Sequence, residues 1–205
     1  MWYNASMNTK EYSSAIKKTP FEYVPSKKIA NLIREGKLYE EAYKMCFDDN
    51  LLQITSEQRR QEVFNVVYDR MIGLDDYLLN EFIDGSLNTS KFILVYAIAK
   101  NDQLFFEFLL DKYREAILGN KEYISISDFD EFFSSAKERN PIVAKWADIT
   151  LKHLRGGYRN IIIDSGLGHR EKKLIYVDKA SVNPGVIEHI KKIGDASFLK
   201  AVLGE

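Results

Sequence analysis

The sequence predicts a mainly α protein, a helical bundle followed by a smaller helical subdomain with one small β element. Three observations predict it. Apolar residues recur at three- and four-residue spacing over most of the chain, capping residues precede these runs and glycines close them, and Leu174 to Val177 reads as a short β-like run. The 205 residues can hold one domain or two small ones. The expected division is an arm over 1–24, a helical bundle over 25–120 and the second subdomain over 121–205, with the boundary near Gly119 to Ser127.

The arm shows no sustained period, and Phe21 and Tyr23 are expected to anchor its end. A first helix is expected after Pro25, whose missing N–H suits a first turn, with Ile29, Leu32 and Ile33 inward and Gly36 as the stop. A second covers Tyr39 to Phe47 and ends at Asp48-Asp49-Asn50. Thr55-Ser56-Glu57-Gln58 has the form of a capping box led by Thr55, and the helix behind it, to about Ile72, is expected to bury Val63, Val67 and Met71. Leu74 to Ile83 forms another, closed by Gly85. Thr89 to Ala99 and Gln103 to Leu118 are nearly continuously apolar, which marks the centre of a bundle, with Asn101-Asp102 as the break between them. Ser127 to Asp130 is read as the cap of the next helix. A proline-started helix is expected from Asn140-Pro141 to the stop at Ser165-Gly166-Leu167-Gly168, and two short helices, the first opened by Asn183-Pro184, finish the chain.

Composition excludes several classes. With 45% hydrophobic and 29% charged residues the chain is an ordinary folding sequence. A single cysteine, Cys46, leaves neither an intramolecular disulfide nor a cysteine-based zinc site. The most apolar run, Phe92 to Ala99, falls far short of the roughly 20 residues a membrane helix needs, and a cytoplasmic protein is expected. There is no Walker loop, and Gly166-x-Gly168 lacks the third glycine of a dinucleotide fingerprint. The histidines, His153, His169 and His189, stand too far apart for metal-ligand spacing. No catalytic residue, metal or cofactor is therefore expected, and the protein reads as non-enzymatic.

The formal net charge of −1 hides an asymmetry. From Lys137 to Lys179 ten basic residues face five acids, whereas from Asn101 to Ala136 three face eight. Within the basic third, Lys152, Arg155 and Arg159 follow Asp148 at helical offsets that put them on one face, with Trp146, Ala147, Leu154, Tyr158 and Ile161 on the core side. Beyond the glycine stop come His169, Arg170, Lys172 and Lys173, then the β-like run. Basic helix, turn and strand is the order of a winged helix-turn-helix facing a nucleic acid. Lys152, Arg155, Arg159, Arg170, Lys172 and Lys173 are accordingly the candidate phosphate contacts, against the plainer reading of a solvated charged face. Gly156-Gly157 either breaks this helix or lets another backbone pack closely against it.

Several segments resemble the BrxA family of bacterial BREX phage-exclusion systems. They are Ile29-Ala30 through Gly36, Asn50 to Gln53, Arg70 with Leu74-Asp75 and Leu78-Leu79, Phe92 to Lys100, and Leu104 to Phe108. Asp128, Phe132-Phe133, Lys137, Val143 to Asp148, Gly166-Leu167 and Gly204-Glu205 continue the likeness, which covers nearly all of the chain from Phe21. The resemblance implies a helical, cytoplasmic protein with an N-terminal part similar to the antitermination factor NusB. It implies binding of double-stranded DNA, and action beside a DNA methyltransferase, a large ATPase and an alkaline-phosphatase-like protein; weak sequence specificity is expected separately, because no Asn or Gln is aligned with the arginines on the basic face. It implies no catalytic residue and no cofactor. The chain departs from the pattern at Pro25-Ser26 and at Gly156-Gly157. Two other functions fit the same sequence: a scaffold docking the methyltransferase or ATPase through Trp2, Tyr3 and Tyr12, and RNA binding in the manner of NusB.

Overall fold

The structure is a computed structural model, and it describes residues 12–119 and 121–204. A 3-10 turn, Ala15–Lys17, leads into α1 (Tyr23–Arg34), α2 (Tyr39–Phe47), α3 (Glu57–Ile72), α4 (Asp76–Asp84) and α5 (Leu87–Asn101). Then α6 (Gln103–Phe108) runs through a π-helical segment, Leu109–Tyr113, into α7 (Arg114–Ile117). After β1 (Tyr123–Ile124) come α8 (Ile126–Arg139), α9 (Pro141–Ala144) and α10 (Asp148–Ser165). The hairpin β2 (Gly168–Glu171) and β3 (Leu174–Val177) precedes α11 (Pro184–Lys192) and α12 (Ala196–Leu203). The fold is mainly α, as the sequence predicts. The β-like run is β3, central in an antiparallel sheet of order β1-β3-β2.

The helices form where period and caps agree. Ile29 and Leu32 of α1, Val63, Val67 and Met71 of α3, and Leu78, Leu79 and Phe82 of α4 are buried on inward stripes. From Phe92 to Ala99, α5 is buried on every side, because α3, α4, α6 and α10 surround it. Full burial of such side chains contributes about 1.5–3 kcal/mol each, so α5 is the axis of the core. Asp102 turns the chain from α5 into α6, its carboxylate accepting the Phe105 amide at 2.9 Å.

Several expected starts are displaced, each because a neighbouring residue makes the better cap. Glu22 adopts the left-handed region and accepts the Ser26 amide, so α1 begins at Tyr23 and Pro25 sits inside its first turn. Ser56, not Thr55, caps α3, accepting the Arg59 amide at 3.3 Å. Ser125, not Ser127, caps α8, and Asp128 closes the box by accepting the Ser125 amide at 2.6 Å. The proline-started helix is two helices. Asn140 caps the single turn of α9, and the chain restarts at Asp148, which leaves Ala147, expected in the core, exposed at the N-cap of α10.

The arm is fastened rather than loose over its described part. Ile16 and Thr19 are buried. Thr19 accepts from Arg70 through its carbonyl at 2.7 Å and from Arg59 through its hydroxyl at 2.9 Å, while Lys18 pairs with Glu62 at 2.7 Å. All three partners lie on α3, so the arm crosses that helix and continues to α10.

Candidate nucleic-acid interface

The α10 helix carries the site, and its inner face explains its stability. Leu154, Tyr158, Ile161 and Ile162 are buried. The Tyr158 ring sits 5.0 Å from Phe105, 5.2 Å from Phe108 and 5.6 Å from Phe133 between centroids, an aromatic seat for the middle of the helix. Its hydroxyl is buried with no hydrogen-bond partner, and burial drives its pKa well up. An unpaired buried hydroxyl carries a desolvation penalty of about 1–3 kcal/mol. Tyr158→Phe is therefore expected to leave the unfolding free energy from urea titrations unchanged or raised by up to about 1 kcal/mol, whereas Tyr158→Ala is expected to lose about 3–5 kcal/mol. A Phe variant as damaged as the Ala variant would place a hidden partner on the hydroxyl.

Gly156-Gly157 does not break α10, which runs unbroken from Asp148 to Ser165. A Cβ on Gly157 would lie 2.7 Å from the Ile16 carbonyl oxygen, whereas one on Gly156 would meet open space. Close backbone approach by the arm is thus what Gly157 permits, and Gly156 has no comparable contact.

The outer face carries the cations. Lys152 is exposed, and Arg155 and Arg159 are half-buried. Arg155 is committed in part, since its Nη1 lies 2.7 Å from Oδ1 of Asp130 on α8. Asp148 is drawn away to Lys137 at 2.7 Å. The helix ends at Gly166 in the left-handed region, and Tyr113 donates to the Leu167 carbonyl at 2.8 Å, which fixes the exit. A Cβ on Gly168 would fall 2.9 Å from Ile162 and 2.5 Å from the Tyr176 carbonyl, so only glycine lets β2 cross α10 this closely.

Register decides where the hairpin cations go. Arg170 pairs with buried Ile175 and shares its side of the sheet, whereas His169 pairs with Tyr176 and stacks on it at 5.8 Å on the other side. Lys172 and Lys173 form the two-residue tip, with Lys172 in the left-handed region and its carbonyl accepting from Arg170 Nε at 2.8 Å. Arg159 of the helix lies within reach of the charge of Arg170 on the hairpin. Burial lowers the pKa of Arg159 first, and the like charges of Arg170 and Arg155 lower it further. Beside the hairpin, Asp178 pairs with His169 at 2.9 Å and raises its pKa.

A metal or redox reading has little to work with. Among the described residues no group of three or more His, Cys, Asp or Glu is placed to hold a metal ion. His189 is paired to Asp75 at 2.8 Å. Cys46 is buried, and burial pushes its thiol to about 11. No described helix is long and apolar enough to cross a membrane.

The BrxA family model matches residues 10–194 of the chain. The chain belongs to the BrxA family. It is similar to the "BREX protein BrxA" of Bacillus cereus (strain H3081.97), 31% identical over 194 residues that cover 95% of this chain and 97% of that relative. Its fold matches the crystal structure of an uncharacterized protein from Magnetospirillum magneticum with a TM-score of 0.82 at 18% identity, covering 96% of this chain and all of the other. In this BrxA-family fold the six candidate cations occupy one helix and the adjoining hairpin. Two features lay beyond sequence reasoning: the Asp130 partner of Arg155, which comes from another helix, and Arg70, a buried guanidinium inside an apolar stripe. Trp2 and Tyr3 lie outside the described residues, and Tyr12 donates to Glu107.

Proposed function

We propose that this BrxA-family protein is a non-enzymatic, double-stranded-DNA-binding accessory of a BREX phage-defence system. The name of its Bacillus relative, a BREX protein, supports the system and supports partners among its other components, the methyltransferase, ATPase and phosphatase-like protein. The observation that carries DNA binding is the close seating of β2 on α10 at Gly168 and Ile162, which brings the hairpin cation Arg170 within reach of the charge of Arg159, with Lys152, Lys172 and Lys173 exposed on the same helix and hairpin. Like charges held together repel one another, and a phosphate between them relieves that repulsion while releasing counterions. Helix and tip can then follow two stretches of backbone on one duplex. No amide side chain shares the face with the arginines, so phosphate contacts dominate and sequence specificity is weak.

With four to six phosphates neutralised, log affinity for duplex DNA against log salt is expected to have a slope of roughly −4 to −5. Replacing Lys152, Arg155, Arg159, Arg170, Lys172 and Lys173 with Ala is expected to remove most of that slope. Fluorescence anisotropy across a salt series reads both. A flat slope, or unchanged affinity in the sixfold variant, would sink the proposal. Single-stranded RNA outcompeting the duplex would replace it with the RNA-binding reading.

A further inference from the structure

Gly156 is a glycine that the packing of the chain does not explain. It stands in the middle of the 18-residue α10, in a backbone conformation open to any residue, where glycine is among the poorest helix formers. Its neighbour Gly157 is accounted for by the Ile16 carbonyl, but a Cβ on Gly156 meets no atom within 4 Å. Among the described residues nothing requires a missing side chain at this position.

Helical offsets place Gly156 at the crest of the outer face. Ile149, Lys152 and His153 precede it by seven, four and three residues, and all three are exposed, Ile149 at 55%. Buried Leu154, Tyr158 and Ile161 lie on the opposite side. Lys152 stands roughly 6 Å before Gly156 along the axis and Arg159 roughly 4.5 Å after it, so the bare point is flanked by two of the cations.

An α-helix with its side chains is about 10–12 Å across, and the major groove of B-DNA is about 12 Å wide and about 8.5 Å deep. A helix entering that groove is held off the floor by whatever projects from its crest. A bare crest lets the backbone approach the floor while the cations beside it reach the phosphates of the walls. We propose that α10 enters the major groove and that Gly156 is the point at which its backbone meets the base edges. Resting on the duplex reading above, this makes Gly156 a positioning residue: it holds no phosphate but sets the depth from which Lys152 and Arg159 reach theirs. The major groove of an RNA duplex is deep, narrow and closed to a helix, so there Gly156 has no such role.

Fluorescence anisotropy with a DNA duplex and with an RNA duplex of the same sequence tests the assignment. Gly156→Ala is expected to bind the DNA about tenfold more weakly. The same change raises the thermal midpoint, so weaker binding is not weaker folding. Its affinity for the RNA duplex is expected to stay within about twofold of the unaltered chain. Gly156→Lys adds a cation to the crest and is nonetheless expected to weaken DNA binding about tenfold or more. Unchanged DNA affinity in the Ala variant, tighter DNA binding in the Lys variant, or an equal fall on both duplexes would overturn the role of Gly156. A flat salt slope for the unaltered chain would remove the duplex reading, and this role with it. A steep slope beside an unaffected Ala variant would keep the duplex reading and remove this role alone.

Discussion

Asp102→Asn is expected to abolish a fall in stability that the unaltered protein shows as pH rises from about 4 to about 7. Asp102 is buried, and burial pushes its pKa from 3.8 up to about 7, against the opposing pull of the Phe105 and Leu104 amides and the Arg70 charge. Between those values the native state keeps a proton that the unfolded chain has released, so unfolding gains on folding with each pH step. The gap amounts to roughly 4 kcal/mol, complete above about pH 7. Asparagine caps α6 equally well and has no charge to bury.

Other groups can be separated from this effect. Asp75, Asp128, Asp148 and Glu62 have lowered pKa values, so their contributions are present above the unfolded values and lost only as pH falls through the folded ones. His169 has a raised pKa, so its pairing with Asp178 is fully present below 6.5 and lost as pH rises through the folded value. That loss is common to both proteins and cancels in their difference. Guanidinium chloride unfolding across this range is the measurement. Parallel stability profiles for the two proteins would show that the Asp102 carboxyl is not held protonated.

Gly157→Ala is expected to destabilise the protein although alanine is the better helix former. The new methyl would stand 2.7 Å from both the carbonyl oxygen and Cγ2 of Ile16. The side-chain contact can rotate away. The backbone oxygen cannot, so the arm or α10 has to shift, at about 1–3 kcal/mol for overpacking. Gly156→Ala, one position earlier with open space before it, is expected to stabilise by about 0.5–1 kcal/mol. Thermal unfolding of the two variants gives opposite signs. The same sign in both would mean that the arm is not seated on α10.

Much of this architecture was legible locally. The end of α3 at Ile72, the whole of α2 and the exit at Gly166 follow from periodicity and glycine stops within a few residues. Caps were less legible, because Thr55 and Ser56, or Ser125 and Ser127, offer the same chemistry side by side, and the helix behind them selects the one whose register buries its apolar stripe. The site was half legible. The stripe of Lys152, Arg155 and Arg159 is a matter of helical offsets, but the pairing of Arg155 with Asp130, and the influence of the Arg170 charge on Arg159, come through packing between elements.

Sequence by itself determined the mainly α class, membership in the BrxA family and the placing of six cations on a helix and its following turn. Tertiary structure alone decided why Gly157 is glycine, which strands flank β3, and that Arg70 and Asp102 are buried. The physical reason is range: turns, caps and amphipathic faces are set by neighbours within a helical turn or two, whereas close backbone approach, strand pairing and the burial of an unpaired charge depend on segments that meet only when the core closes.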